Sequence, residues 1–236
     1  MPLILHGRDP AAPEMMESPD CDPVKLRNTY RQFRYINALL SRSRAVYRRW
    51  LRPAMTEDGR RYTLLDIGFG GGDIPLKFTQ WAARDGHELH VTGIEIDERA
   101  LEYVDGLSWP ETLTFRLAST TELAAAGERY DFVVSNHLLH HLAADAFGST
   151  LAEAAALSRR LSLMVDLQRS DVAWAVFGAA TWPFFRDSYI RADGLASLRR
   201  SYTHRELAAI APPGWTVERL FPFRQVLVYD HGGTGG

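Results

Sequence analysis

The segment Leu64-Leu65-Asp66-Ile67-Gly68-Phe69-Gly70-Gly71-Gly72-Asp73 ends an apolar run in an acid and alternating glycines. A helical pattern follows directly. Glycine suits a chain that turns sharply and lays its backbone against a ligand. Free amides at the following helix start favour a carboxylate or a phosphate. A dinucleotide site would need another glycine three residues after Gly70, and that position is Asp73, whose carboxylate would repel a pyrophosphate. A glycine-rich turn without a ligand is the plainer alternative, and the strand–loop–helix setting weighs against it. Glu95 closes a second strand-like run 23 residues after Gly72, close to the spacing at which a carboxylate accepts both ribose hydroxyls.

A second cluster lies in DFVVSNHLLHHL, residues 131–142. Histidine titrates near ~6.5 and suits proton removal from a phenol-type hydroxyl or an activated carbon acid. His140, His137 and His141 are therefore the catalytic candidates. His140 and His141 are expected on the first turn of a helix, where either could share a face with His137. Capping or packing is the plain alternative for any one of them. His137 and His141 stand four apart, but no glutamate lies between them as in HExxH, so no metal is expected.

The elements that would position these groups alternate between strand and helix. Strands are expected at 62–68, 89–96, 113–118, 130–136 and 161–167, with helices at 74–86, 98–105 and 143–159. Two further strands, at 215–220 and 224–230, follow a helix opened by the capping box Thr203-His204-Arg205-Glu206. This predicts an α/β fold with a doubly wound, mostly parallel seven-stranded sheet, ligands binding where the strand order reverses. Residues 1–20 read as an irregular lead-in. Asp22-Pro23 opens an amphipathic helix, and a second helix is expected from Ser43 to about Leu51, ending before Pro53. Residues 1–61 form an N-terminal helical cap in this reading, and 62–236 the main domain. Residues 170–202 form an inserted helical lid, with a turn at Ala192-Asp193-Gly194. The HGGTGG tail is expected to be flexible.

Asp-x-Gly-x-Gly-x-Gly resembles motif I of the class I methyltransferases, in which the ligand is the zwitterionic methionine end of S-adenosylmethionine. The resemblance implies the Rossmann-like methyltransferase fold and that cofactor, with S-adenosylhomocysteine as product. Asp66, Gly68, Phe69, Gly70, Gly72 and Glu95 would hold it, with Ile96 packed on the adenine. Where the family often has an adenine-contacting aspartate, this chain has Ala118-Ser119-Thr120-Thr121, so Ser119 is the substitute. Asp97 reads as a helix N-cap. The histidine segment is similar to motif IV of small-molecule methyltransferases, placing Asn136 and His137 near the sulfonium. The Asn/Asp-Pro-Pro-Tyr of amine-methylating relatives is absent. ESPDCDP, TYRQFRYIN and DGLASLRRSYTHRELAAIAPPGW resemble a group of small bacterial methyltransferases associated with type III polyketide pathways. That resemblance implies a phenolic or resorcinol-like acceptor and favours O-methylation. C-methylation, RNA methylation and a non-catalytic cofactor-binding regulator stand as alternatives.

Acceptor choice is expected from the variable pieces: Arg169, Trp174, Phe177, Trp182, Phe185 and Tyr189 of the lid, with Tyr30, Arg31 and Phe33 opposite. The composition, 46% hydrophobic and 24% charged with net charge −2, is that of a globular protein without a general pull on polyanions. Nucleic acid is accordingly disfavoured as a partner. Lys25 to Arg52 nevertheless carries nine basic residues and no acidic one, so weak contact with an anionic membrane surface is a minority expectation. A single cysteine, Cys21, precludes an internal disulfide. The opening MPLILHGRDP lacks a signal's basic n-region, which makes the cytoplasm the expected compartment.

Overall fold

A computed structural model describes residues 2–57 and 59–232. Five parallel strands form its centre: β1 (Arg61–Ile67), β2 (Glu88–Glu95), β3 (Leu113–Leu117), β4 (Tyr130–Asn136) and β5 (Ser158–Leu167). An antiparallel hairpin, β6 (Trp215–Leu220) and β7 (Arg224–Asp230), completes a seven-stranded sheet of order β3-β2-β1-β4-β5-β7-β6. The order reverses between β1 and β4, so their carboxyl ends open a crevice between diverging loops.

Alternation along the central strands sorts side chains onto two faces. Leu64 of β1 with Phe132 and Val134 of β4 joins a core completed by Phe78 and Ala82 of helix α4 (Asp73–Arg84). Val46, Tyr47, Leu51 and Met55 lie in that same core. Leu65, Ile67 and Val133 face the other way, against Phe147, Leu151, Ala154 and Leu157 of helix α7 (Ala144–Leu157). The N-terminal helix α1 (Pro23–Leu40), capped by Asp22, reaches the glycine loop through a third cluster containing Leu26, Tyr30, Phe69 and Tyr189.

Several local expectations are corrected. The second helical segment passes through Pro53. It runs as α2 (Ser43–Val46), a π turn (Tyr47–Leu51) and α3 (Arg52–Ala54). The π turn bonds the Arg52 amide to the Tyr47 carbonyl, and Pro53 falls in the first turn of α3, where a missing N–H costs least. Ala192-Asp193-Gly194 is not a turn but lies within helix α9 (Ile190–Arg200). There the Asp193 carboxylate accepts the Met15 and Met16 amides, and Gly194 leaves room for the Phe177 ring, 2.4 Å from where a Cβ would stand. An additional helix, α6 (Thr120–Ala125), follows β3, with Ser119 and Glu122 forming its capping box. His140 and His141 sit in a turn ahead of α7 rather than on its first turn. Of the tail, residues 233–236 lie outside the described residues. No described helix is long and apolar enough to cross a membrane.

Candidate active site

The glycine loop and the ends of β2 and β4 form one constellation. Gly70 and Gly72 have φ of 52° and 75°, a left-handed backbone that side chains disfavour. Gly71 is closed differently: a Cβ there would stand 2.6 Å from the Tyr30 carbonyl oxygen of α1. The Phe33 ring lies against Gly70 and Gly71. Phe69 is buried against Phe115, ring centroids 4.6 Å apart. The Gly68 amide donates to the Ile94 carbonyl at 2.8 Å, which fastens the loop to β2.

Glu95 accepts the Ile96 amide at 3.0 Å and the Gly70 amide at 3.4 Å. Burial raises its pKa, and these amides oppose the rise. Beside it Ile96 is 76% exposed, an uncovered apolar side chain at the rim. Asp97 caps helix α5 (Glu98–Asp105) by accepting the Arg99 amide. Asp66 is buried, and that burial, with the charges of Asp73 and Glu95 nearby, pushes its carboxyl up to about 8. Asp73 is held by the Asn37 amide at 3.1 Å.

Asp66 Oδ2 and both polar side-chain atoms of Asn136 are buried without a hydrogen-bond partner. Buried polar atoms are rarely left so, because each forfeits the hydrogen bonds water had given it. Asp66 is the penultimate residue of β1 and Asn136 the last of β4, either side of the strand-order reversal. They fit the polar end of a ligand laid along the glycine loop. An amino acid moiety above and a ribose at Glu95 match the donors and acceptors present, so these residues suit S-adenosylmethionine. Ser119 is used otherwise here: its hydroxyl accepts the Glu122 amide and lies 2.8 Å from Glu122 Oε2.

The histidines occupy three different environments. His137 has φ 62° and its Nε2 accepts from Arg224 at 2.6 Å. Loss of water around the ring, then the Arg224 charge, hold its pKa well below the ordinary value. His140 is fully buried, with Nδ1 2.7 Å from Asp166 Oδ1 and its amide donating to Asp166 Oδ2. Burial opposes its charged form, but Asp166 and then Glu14 outweigh it and push the imidazole up to about 9. Its Nε2 has no hydrogen-bond partner and lies 3.6 Å from Glu14 Oε1. His141 is partly exposed and pairs through Nδ1 with Glu17 at 2.6 Å.

Residue type and spacing alone do not single out Glu14, Glu17, Asp166 and Arg224. Asp166 carried a signal, as the one charge in the apolar run LSLMVDL. Glu14 and Glu17 carried none, because they sit in the irregular lead-in and meet their partners only through the fold.

The expected acceptor residues divide. Tyr30 and Phe33 cover the glycine loop. Arg31 is exposed and donates to Asn28. Arg169 is corrected: its side chain is fully buried, donating to the Leu5 and Ser201 carbonyls and to Glu206. Tyr189 is corrected too, being buried with its hydroxyl accepting the Asp22 amide at 2.7 Å. Trp174 and Phe177 lie on helix α8 (Asp171–Thr181), and the Trp174 indole nitrogen is buried without a partner. Phe185 is half-buried, and Trp182 is exposed beneath the Arg191 guanidinium.

Residues 64–160 match the family model described as a methyltransferase domain. No curated protein sequence matches the chain. Among solved structures, the plantazolicin methyltransferase BpumL in complex with SAH is similar with a TM-score of 0.65 at 12% identity, over 94% of this chain and 95% of that one. Human N-acetylserotonin methyltransferase in complex with SAM gives 0.59 at 11% identity, over 89% of this chain and 56% of that one. Magnesium protoporphyrin IX methyltransferase from Synechocystis PCC 6803 with bound SAH gives 0.50 at 17% identity, over 79% and 80%.

Proposed function

We propose that this chain, which carries a methyltransferase domain, moves a methyl group from S-adenosylmethionine to the hydroxyl of a small hydrophobic, phenolic acceptor. The unpartnered buried atoms of Asp66 and Asn136 beside the glycine loop carry the reading. S-adenosylmethionine would supply an electrophilic methyl on a sulfonium centre. Asp66 would receive the ammonium of its methionine end, and Glu95 the two ribose hydroxyls. Gly68, Gly70 and Gly72 keep the loop low enough for that approach, Phe69 packs beneath it, and Ile96 offers an apolar surface to the base. Asn136 orients the sulfonium end. Ser119 reaches the base only if its cap opens.

We assign the acceptor's proton to His140. Asp166 fixes its Nδ1–H, so proton exchange falls to Nε2; with the imidazole held up at about 9, only its neutral fraction, which grows as pH rises toward 9, can take the acceptor's proton. Glu14 Oε1, 3.6 Å from that atom, is the carboxylate the acceptor's hydroxyl would displace. His137, held neutral beside Arg224, and His141 at the rim would orient the acceptor. Trp174, Phe177, Trp182 and Phe185 would wall it. Phenolic oxygen is favoured over an amine because the Asn/Asp-Pro-Pro-Tyr segment is absent, and over a ring carbon because of the polyketide-type resemblance of the flanking segments.

The test is product analysis with methyl-labelled S-adenosylmethionine and a panel of phenols and resorcinols. Labelled aryl methyl ethers, reduced at least about a hundredfold by His140→Ala, are expected. Ring-methylated products would move the assignment to carbon, and label only in RNA would replace the acceptor class.

A further inference from the structure

Two imidazoles and a carboxylate meet where the N-terminal segment crosses the histidine turn. Glu14 Oε1 lies 3.6 Å from His140 Nε2, and Glu14 Oε2 lies 3.9 Å from His141 Nε2. One donor atom from each of the three residues fits within a span of 4.8 Å. Each imidazole turns its other nitrogen to a carboxylate, His140 Nδ1 to Asp166 and His141 Nδ1 to Glu17, at 2.7 and 2.6 Å. A ligating histidine characteristically has such a partner, which fixes its tautomer and leaves Nε2 as the donor. Glu14 is itself positioned by the Ser197 hydroxyl at 2.9 Å. His140 Nε2 is fully buried, aimed into the group and unpartnered.

We propose that Glu14, His140 and His141 form a site for a divalent cation of the zinc class, and that its occupation regulates the acceptor site. This rests on the assignment of His140 above. Zinc bonds of about 2.0–2.2 Å place tetrahedral donors roughly 3.4 Å apart, so the three residues need draw together by no more than about 1.4 Å. Nitrogen and oxygen donors suit zinc and its neighbours better than magnesium or calcium. Three protein ligands leave a position open to water. Arg200, 3.6 Å from Glu14 Oε1 and 2.7 Å from Glu17 Oε2, is the cation that opposes binding.

Occupation has two consequences. The cation displaces the Nε2 proton of His140 to the solvent and occupies that nitrogen, which can then no longer accept the acceptor's proton. It also ties Glu14, and with it the N-terminal segment, to the histidine turn. The site therefore acts as a brake, not as the catalytic centre.

The experiment is titration of the chelator-stripped full chain with Co²⁺, followed by its d–d absorption, and with Zn²⁺ against a chromophoric chelator. One tight equivalent is expected, with Kd raised at least about tenfold in both Glu14→Gln and His141→Ala. Both variants keep the fold-critical contacts of His140 with Asp166. Absence of a stoichiometric equivalent, or affinity unchanged in both variants, overturns the site. Methyl transfer to a phenol should fall on adding one equivalent of Zn²⁺ and return with chelator. Stimulation would overturn the brake. S-adenosylhomocysteine binding, measured in parallel, separates the two readings: its failure sinks the proposed function whatever the metal does.

Discussion

The two ends of the crevice treat their polar groups in opposite ways. At the glycine loop, Asp66 Oδ2 and the amide of Asn136 are buried and unpartnered, and the Asp66 carboxyl is driven up to about 8. At the histidine turn, ion pairs and backbone bonds saturate the groups around one unpartnered atom, His140 Nε2: Asp166 on His140 Nδ1, Glu17 on His141 and Arg200, Arg8 on the His140 carbonyl. Deficit marks a place built for a ligand's polar end. Saturation marks a latch, here fastened by residues 3–17 of the lead-in. Leu3, Ile4 and Leu5 amides reach Asp171, the Leu5 carbonyl reaches Arg169, and Glu14 reaches His140.

The largest effect expected from breaking this contrast is at Arg169. Arg169→Met removes a fully buried cation from two carbonyls and Glu206, and should cost roughly 3–5 kcal/mol by urea denaturation. S-adenosylhomocysteine affinity of the folded fraction should change less than about twofold. If acceptor KM rises with stability unchanged, Arg169 is an acceptor contact after all.

Gly71→Ala comes next. Its Cβ would meet the Tyr30 carbonyl at 2.6 Å, so α1 must lift from the loop at a cost of about 1–3 kcal/mol. Cofactor affinity should fall roughly tenfold or more, read by calorimetry. An unchanged affinity would show that α1 does not set the loop.

Asp66 sharpens the contrast through pH. Its folded pKa of about 8 stands above an ordinary value near 4. The cofactor-free protein should therefore lose stability as pH rises between those values, because the buried group is favoured protonated. An ammonium ligand reverses the preference. Affinity should rise about tenfold per pH unit up to pH 8 and then level, with a proton released on binding. Asp66→Asn should flatten the profile.

The smallest effect is at the exposed rim. Trp182→Ala should shift stability by less than about 0.5 kcal/mol and raise the acceptor KM while leaving cofactor affinity unchanged. An unchanged KM would remove Trp182 from the acceptor wall.

The proposed cofactor end is legible in the sequence because its residues are contiguous. Asp66 to Asp73 and Glu95 carry their meaning in type and spacing, and the strand–helix alternation around them follows hydrophobic period. The histidine end was only half legible. His137, His140 and His141 stood out as residue types, but what decides their behaviour is Asp166, Arg224 and Glu14, brought in by β5, β7 and the lead-in. Sequence spacing cannot report a contact between residues 14 and 140. Arg169 misled for the same reason, since an arginine beside aromatics reads as a binding group until its carbonyl partners are seen. Ala192-Asp193-Gly194 has turn composition, yet its aspartate and glycine serve packing against the lead-in and Phe177. Helix α6 was missed although Ser119-Thr120-Thr121-Glu122 spells its capping box.

The most direct test of the central claim is calorimetric titration of the full chain with S-adenosylhomocysteine, alongside Glu95→Ala. One saturable site is predicted, weakened about a hundredfold in the variant through loss of charge-assisted bonds of about 1.5–3 kcal/mol each. No saturable binding, or equal affinity in the two proteins, would contradict it.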